Sequence, residues 1–197
     1  MEGEDALVVA CGPSATPDAL VQTGPGLWES VSSLCRKHWT LSCNRSIPRV
    51  ATDFGVVFEP GRDSVWEDVK RRPPMMTFGH HARGCPRKVE VISRDVSKWL
   101  PEADHEGRSL RLGQCPFWAA GIALWMGFET VGLIGVDITP DRFNNKAHLF
   151  EVEEAWGRLA KLAEKMDRKL VNLNPETYLK AVPLGKGSDI RPKRREP

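Results

Sequence analysis

Short runs of apolar, largely β-branched residues recur along this chain and constrain its fold more than any other feature. The clearest runs are ALVVAC at 6–11, FGVVFE at 54–59 and TVGLIGVD at 130–137, with WTLSCN at 39–44 close to them in form. Strands that are apolar at nearly every position belong in a sheet covered on both faces, which is typical of parallel sheets. Further strands are expected at 75–79, 88–92 and 169–174.

Helical patterns alternate with these strands. Pro116 opens the run FWAAGIALWMGF, which is apolar all round and stops near Gly127, so we expect a helix buried on most sides. Residues 151–169 place apolar side chains at helical spacing, with acids in the first turn and bases in the last. A third helix is expected at 27–37. This alternation predicts one α/β three-layer domain with a mostly parallel sheet.

Length and composition agree with one ordinary globular domain. The chain has 197 residues, of which 41% are hydrophobic and 27% charged. Its longest apolar run is about a dozen residues, short of the roughly 20 that cross a bilayer, and its first residues, MEGEDA, are acidic. We therefore expect a cytoplasmic protein without a membrane span. The five cysteines form no C-x-x-C pair, which favours free thiols and no metal site.

The basic charge is concentrated at the carboxyl end. Residues 186–197 carry five Lys and Arg against two acids, together with two prolines. Such a segment buries little apolar surface, so we expect a flexible, solvated tail after a folded domain at 1–185. Nucleic-acid binding through this tail stays open at this point, as does self-association of the domain.

The first candidate site follows the first strand. Gly12, Pro13 and Ser14 lie where open α/β sheets bind ligands, at the carboxyl ends of the strands. Gly12 permits close backbone approach, Ser14 offers a hydroxyl, and the N-terminus of a following helix would present N–H groups to a phosphate. The loop has neither G-x-G-x-x-G nor a P-loop lysine. A tight turn from strand to helix is the alternative interpretation.

Polar residues end or follow other strands. Asn44 can donate to and accept from a base or ribose edge, or it can cap the next turn. Asp137 closes a very apolar strand, either as a site residue or as an N-cap or loop anchor. His148 is the side chain best suited to accept a proton near neutral pH, although a lone histidine is also compatible with a structural role. The same edge holds three further candidates, namely Glu59, Gln114 and Cys115.

Taken in order, these pieces resemble the bacterial sialyltransferases of glycosyltransferase family 42 and the related proteins that include archaeal 6-hydroxymethylpterin diphosphokinase. CGPSA is similar to the nucleotide loop of that group, LSCNRS to its strand ending in Cys-Asn, and VVFEPG to its next strand. The segment GIALWMGFETVGLIGVDIT looks like three successive elements of that group, namely its central helix, the turn after the helix and the strand that ends in Gly-hydrophobic-Asp. His148 and VNLNPETYLKAVP look like the catalytic histidine and closing strand of the sialyltransferases.

The resemblance implies a Rossmann-like nucleotide domain and a transferase. It implies a CMP-linked or other nucleotide-sugar donor, no obligatory cofactor or metal, and His148 as the general base on an acceptor hydroxyl. The nucleotide would lie against the strand-end residues, namely Gly12, Pro13, Ser14, Asn44, Glu59, Gln114, Cys115 and Asp137. The diphosphokinase branch implies instead Mg²⁺ and ATP, with Asp137 and Glu59 on the metal.

The chain departs from the family pattern at three places. Cys11 stands where asparagine is usual, Cys115-Pro116 replaces Ser-Gly before the central helix, and Pro140 occupies the place of a leaving-group tyrosine. These departures keep a third alternative open, namely a nucleotide-binding module without catalytic activity.

Overall fold

The computed structural model describes residues 1–57, 74–79, 88–90, 96, 114–138 and 146–194, with the side chains of residues 45, 88, 90 and 146–148 left out of the description. In chain order, the strands are β1 (Ala6–Val9), β2 (Leu20–Gly24), β3 (Leu27–Ser30), β4 (Trp39–Cys43), β5 (Phe54–Val57), β6 (Met76–Gly79), β7 (Lys88–Glu90), β8 (Thr130–Ile134) and β9 (Lys169–Asn172). The helices are α1 (Val31–Lys37), α2 (Cys115–Trp125) and α3 (Lys146–Lys165).

Seven of these strands form one sheet in the order β7-β6-β5-β4-β1-β8-β9. Every described pairing in it is parallel. The prediction of a Rossmann-like α/β domain with a mostly parallel sheet is therefore confirmed. Chain order reverses at β1, which pairs with β4 on one side and with β8 on the other.

Two apolar clusters cover the two faces of the sheet. Ala6 and Val8 of β1 pack in the larger cluster, with α2 and α3, whereas Leu7 and Val9 pack in the smaller one, with α1. Successive side chains of a strand point to opposite faces, so a strand that is apolar at every position fits between two helical layers. This is the physical reason that the apolar runs identified the sheet.

The segment predicted as a helix at 27–37 divides into a strand and a helix. Leu27–Ser30 is β3, which pairs antiparallel with β2, and α1 begins only at Val31. Pro25 and Gly26 join the two strands, and Gly26 has a φ of 70°. Proline followed by a glycine with positive φ favours a type II turn, so the hairpin has a local cause. Ser30 then caps α1 by accepting a hydrogen bond from the Ser33 N–H.

Helix α3 begins earlier in the chain than the sequence pattern predicted. Residues 151–169 were the predicted range, but α3 runs from Lys146 to Lys165. It ends where Asp167 adopts a φ of 56° and the Arg168 N–H donates to the Ala163 carbonyl oxygen at 2.8 Å. The backbone of His148 therefore lies in the first turn of a helix, not in the preceding loop.

Residues 186–194 pack against the domain, which corrects the expectation of a flexible tail for that part of the chain. Ile190 is buried in the smaller cluster, and its carbonyl oxygen lies 3.1 Å from Nε2 of the buried His38. Arg191 forms an ion pair with Asp5, and Lys193 forms one with Asp53. These partners come from distant parts of the chain, so the composition of the tail gave no sign of them.

Candidate functional site

The candidate site lies at the carboxyl edge of the sheet, where the strand order reverses. The loop after β1 and the loop after β8 leave from neighbouring strands at this point. Ligands of open α/β sheets bind in the crevice that such a reversal leaves between two loops. The course of the backbone alone therefore brings residues 12–15 and 135–138 together.

Glycines allow the two loops to approach closely. The Gly12 N–H donates to the Gly135 carbonyl oxygen at 3.0 Å. A Cβ on Gly12 would lie 2.3 Å from that oxygen and 2.5 Å from Oδ2 of Asp137, so no larger residue fits without movement. Gly135 itself has a φ of 74°, a conformation that favours glycine.

Asp137 holds the first loop in place. Its Oδ2 accepts the Ser14 N–H at 2.7 Å, and its Oδ1 accepts the Ser14 hydroxyl at 2.5 Å. Asn174 Nδ2 donates to the same Oδ1 at 2.6 Å. The loop-anchor interpretation of Asp137 fits these three contacts.

The hydroxyl of Ser14 has little hydrogen-bonding capacity left. It gives its one proton to Asp137 and accepts the Gly135 N–H at 3.1 Å, which leaves one lone pair. The backbone N–H of Ser14 also donates to Asp137. Ser14 can thus accept from a ligand donor, such as a hydroxyl or amino group, but it has no donor for a phosphate oxygen.

No α-helix follows this loop directly, in contrast to the sequence expectation. Pro13–Ala15 forms a single 3₁₀ turn, in which Pro13 is exposed, and the chain then enters β2. The prediction of an α-helix directly after Gly12, whose N-terminus would face a phosphate, is therefore wrong. The prolines at positions 13 and 17 favour a short turn here, because proline cannot donate a backbone hydrogen bond.

The segment after β9 runs along the loop after β8. Besides the contact from Asn174 to Asp137, the Thr177 hydroxyl donates to the Val136 carbonyl oxygen at 3.2 Å. The Tyr178 N–H donates to the Ile138 carbonyl oxygen, also at 3.2 Å. Three successive points of attachment therefore fix residues 174–178 beside the crevice.

Asn44 stands at the end of β4 in an unusual backbone conformation. Its φ is 44°, and it opens the 3₁₀ turn Asn44–Ser46. Asparagine tolerates this left-handed region better than most residues do. Ser46 is buried beneath it, with its hydroxyl 2.8 Å from the carbonyl oxygens of both Val9 and Cys43. Ser46 thus ties the carboxyl ends of β1 and β4 together.

Gln114 and Cys115 begin α2 beside Asn44. The Cys115 thiol lies 3.4 Å from Oδ1 of Asn44 and 3.9 Å from the Val56 carbonyl oxygen. Gln114 occupies the N-cap position without a capping bond from its half-buried side chain. Pro116 follows in the first turn, where its missing N–H costs nothing.

Thiols approach one another at this edge. The exposed Cys11 donates from Sγ to the Cys43 carbonyl oxygen at 3.2 Å. Burial raises the pKa of the Cys43 thiol well above its ordinary value, and the neighbouring Cys115 and Cys11 add to the effect. Cys43 is therefore a neutral packing residue, whereas Cys11 faces solvent beside the first loop.

The strand-end residues predicted from sequence fall into two contacting groups. Gly12, Ser14 and Asp137 form one, with Pro13 at its surface, and Asn44 with Cys115 forms the other. Glu59 lies outside the described residues, and only the backbone of His148 is described. Three polar residues at this edge were not predicted, namely Ser46, Asn174 and Thr177.

Two features are absent from the described residues, namely a cluster of metal-ligating side chains and a helix that could cross a membrane. Within residues 1–57, 74–79, 88–90, 96, 114–138 and 146–194, no group of three or more His, Cys, Asp or Glu residues could hold a metal ion. Over the same residues, no helix combines the length and apolar character needed to cross a membrane.

Comparison with known proteins gives a fold relationship. Neither a protein-family model nor a curated protein sequence matches this chain. The α-2,3-sialyltransferase from Campylobacter jejuni in apo form is similar, with 12% identity and a TM-score of 0.58, over 95% of this chain and 82% of that one. The sialyltransferase CstII from the same organism, in complex with cytidine-5′-monophosphate, has 11% identity and a TM-score of 0.58, over 95% and 87%.

CstII in complex with the substrate analogue CMP-3FNeuAc gives 10% identity and a TM-score of 0.57, again over 95% and 87%. The likeness extends over 95% of this chain and 82–87% of those chains, at 10–12% sequence identity. The chain therefore has the fold of these bacterial sialyltransferases.

Proposed function

We propose that this protein is a glycosyltransferase that moves a sugar from a nucleotide-activated donor to an acceptor hydroxyl. The single observation that carries the proposal is the contact between the loops after β1 and β8 at the reversal of strand order, in a fold shared with sialyltransferases that were solved with CMP and with the substrate analogue CMP-3FNeuAc. Among the strand-end residues that resemble the family's nucleotide site, Ser14 contacts Asp137, and Asn44 contacts Cys115 at the neighbouring end of β4.

The nucleoside part of the donor fits the free groups of the crevice best. Ser14 has only an acceptor to offer, which suits a ribose hydroxyl or a base amino group. The half-buried amide of Asn44 can both accept and donate, which suits a ribose or base edge. Asp137 brings negative charge close to Ser14, so we place the donor phosphate away from this carboxylate.

The transfer itself needs one base. In the proposed direct, inverting displacement, the acceptor oxygen attacks the anomeric carbon and the bond from that carbon to the phosphate oxygen breaks. The nucleotide leaves with the bonding electron pair, and His148 takes the proton of the acceptor hydroxyl. The first turn of α3 carries this residue, and α3 links β8 to the parallel strand β9, so it starts at the carboxyl edge.

A Mg²⁺-ATP diphosphokinase fits these contacts less well. Both carboxylate oxygens of Asp137 already accept short hydrogen bonds from Ser14 and Asn174. Oδ1 accepts two of these bonds and Oδ2 accepts one, so only one lone pair of Oδ2 is left for a metal. We therefore prefer a nucleotide-sugar donor without an obligatory metal.

A nucleotide screen tests the proposal. Thermal unfolding is measured with CMP, ATP and ATP plus Mg²⁺, since a ligand at 100 times its Kd adds about 2.7 kcal/mol to the free energy of unfolding. We expect stabilisation by CMP without metal, and a smaller effect on an Asn44→Ala variant. The matched control is Gln22→Ala, which removes a half-buried amide that donates to the Gly24 carbonyl oxygen within the β2–β3 hairpin.

The screen also separates the alternatives. Stabilisation only by ATP with Mg²⁺ would favour the diphosphokinase. Binding of CMP without any turnover of a CMP-linked sugar would favour an inactive module, in line with the departures at Cys11, Cys115 and Pro140. A screen without any stabilisation by a nucleotide would contradict the proposal.

A further inference from the structure

Asn174 and Ser14 donate to the same carboxylate oxygen at the contact between the loops. Asn174 Nδ2 lies 2.6 Å from Oδ1 of Asp137, and the Ser14 hydroxyl lies 2.5 Å from it. Two atoms bound to one oxygen cannot lie farther apart than these two distances together, so Ser14 Oγ and Asn174 Nδ2 are at most about 5.1 Å apart. Both residues are half-buried, so neither is closed off from solvent.

Each of these two atoms keeps one hydrogen-bonding group that the described contacts do not use. Ser14 Oγ donates to Asp137 and accepts the Gly135 N–H, which leaves one lone pair. Asn174 Nδ2 carries two hydrogens and uses one of them on Asp137. Only this orientation of the amide suits its neighbours, since Asn174 Oδ1 accepts the Glu176 N–H at 3.0 Å. A free acceptor therefore lies next to a free donor.

A hydroxyl is the ligand group that suits both atoms of this pair. It donates its proton to Ser14 and accepts from Asn174 through its oxygen. An oxygen that makes two hydrogen bonds of about 2.8 Å at a tetrahedral angle spans about 4.6 Å between its partners, which is within the limit above. A phosphate oxygen only accepts and would face the lone pair of Ser14. A base amino group donates and would face the N–H of Asn174.

The location of the pair favours a bound ligand over solvation alone. The loops after β1 and β8 meet here with the segment after β9, at the reversal of strand order where open α/β sheets bind ligands. The partners of Asn174 hold its amide at both ends, so little side-chain freedom is lost on binding. A ligand hydroxyl makes the same two bonds that water would make, so displacing water costs the site no hydrogen bond.

We propose that Ser14 and Asn174 form a hydroxyl clamp that binds one ribose hydroxyl of the nucleotide donor. This role rests on the proposed glycosyltransferase function, which brings a nucleotide to these loops. Asn174 is then a binding residue that supplies the donor group Ser14 lacks, and the clamp selects ribonucleotides that carry the bound hydroxyl. The transferred sugar is the other source of hydroxyl groups, and the ligands of the test distinguish the two.

Isothermal titration calorimetry of the wild type with CMP, 2′-deoxy-CMP and 3′-deoxy-CMP tests the clamp. One of the two deoxy analogues should bind about tenfold to hundredfold more weakly than CMP, because it loses two hydrogen bonds. The other analogue should bind about as well as CMP does. UMP lacks the amino group of cytosine, so the ratio of its affinity to that of CMP should be the same for the wild type and Ser14→Ala.

Variants assign this preference to the two residues. Asn174→Ala and Ser14→Ala each remove one of the two bonds, so the preference for CMP over the weaker analogue should fall about threefold to tenfold in each. The matched control is Thr177→Val, which removes another attachment of the same segment, from the Thr177 hydroxyl to the Val136 carbonyl oxygen. Its preference should equal that of the wild type. Urea unfolding checks that each variant folds, and two clamp variants keep the test independent of either one.

The outcomes separate the clamp from the function it rests on. Equal affinities of CMP and both analogues for the wild type, or a preference that Asn174→Ala leaves unchanged, would overturn the clamp and leave the nucleotide site standing. So would an equal fall in Thr177→Val. If Asn174→Ala weakens binding of a CMP-linked sugar but not of CMP, the bound hydroxyl belongs to the transferred sugar and the ribose assignment is wrong. A wild type that binds none of these nucleotides would overturn the transferase together with the clamp.

Discussion

The carboxylate of Asp137 receives both the backbone N–H and the hydroxyl of Ser14, at 2.7 and 2.5 Å, although 123 residues separate the two in sequence. This contact joins the loop after β1 to the loop after β8 at the reversal of strand order. The position of the two loops relative to each other therefore depends on one acid and one serine.

Removing that carboxylate should destabilise the protein. In Asp137→Ala, Ser14 and Asn174 lose their shared acceptor, and hydrogen bonds to a charged group contribute about 1.5–3 kcal/mol each. We expect a loss of about 3 kcal/mol in urea unfolding and a smaller loss for Asp137→Asn, which keeps one acceptor oxygen. Asp18→Asn, at an exposed aspartate after the same loop, should change the free energy of unfolding little. Equal stabilities of Asp137→Ala and Asp18→Asn would show that the contact contributes nothing.

Two glycine substitutions should act in opposite directions. Gly12→Ala places a Cβ 2.3 Å from the Gly135 carbonyl oxygen and should lower the free energy of unfolding by about 2–3 kcal/mol. Gly157→Ala in α3 meets only the Ala181 Cβ at 3.4 Å, an ordinary contact. It should stabilise the protein by about 0.5–1 kcal/mol through helix propensity. Equilibrium urea unfolding checks both, and a stabilising Gly12→Ala would refute the close approach of the two loops.

Acid should weaken the attachment of the carboxyl-terminal segment. Burial acts to raise the pKa of Asp5, but the hydrogen bonds and charge of Arg191 outweigh it and hold the pKa below its ordinary value of 3.8. A carboxyl group with a lowered pKa in the folded state stabilises that state above about pH 4, and this contribution is lost as the pH falls through the folded-state pKa. Asp5→Asn should therefore destabilise the protein at pH 7 more than at pH 3.

The matched control for this pH effect is Arg194→Gln. Arg194 is mostly exposed and lies 3.5 Å from Glu4, so its removal should leave the pH profile nearly unchanged. Stability curves measured by urea unfolding from pH 7 to pH 3 give the comparison. An Asp5→Asn variant with the same loss at both ends of this range would contradict the role of the Arg191 ion pair.

The reactivity of the cysteine thiols tests which residues at the carboxyl edge of the sheet are open to solvent. Burial raises the pKa of Cys35 to about 12 and that of Cys43 well above its ordinary value, so both should resist iodoacetamide until the protein unfolds. Cys11 is exposed beside Gly12 and should react in the native state. Peptide mass spectrometry after timed alkylation measures each site. If the nucleotide occupies the proposed crevice, CMP should slow the reaction at Cys11, and unchanged kinetics with saturating CMP would argue against that placement.

Most of the sheet could be predicted from sequence because its central strands β1, β4, β5 and β8 are buried on both faces. The runs at β1, β5 and β8 leave no polar face that a helix or an exposed strand would show, and the polar Thr40 and Ser42 of β4 are themselves buried. The hairpin of β2 and β3 was missed although the turn at Pro25-Gly26 was visible, because Leu27 and Trp28 are apolar residues that also suit a helix start. Both are exposed in the structure.

The edge of the sheet at which the candidate residues lie was predictable, and the partners of these residues were not. The residues that end each predicted strand identify the carboxyl edge of the sheet, since parallel strands align their carboxyl ends. The roles of Ser46 and Asn174 depend on Val9 and Asp137, which lie 37 residues away in sequence in each case. The same holds for Asp5, whose partner Arg191 lies 186 residues away. Local patterns carry no signal for such contacts.

The central claim is that this chain transfers a sugar from a nucleotide with His148 as base, and one paired measurement tests it most directly. CMP affinity and the rate of CMP release from a CMP-linked sugar are measured on the wild type and on His148→Ala. We predict equal CMP affinity for both proteins, with release by the variant slower by roughly 100-fold to 10,000-fold. Equal release by the two proteins, or loss of CMP binding together with activity, would contradict the account.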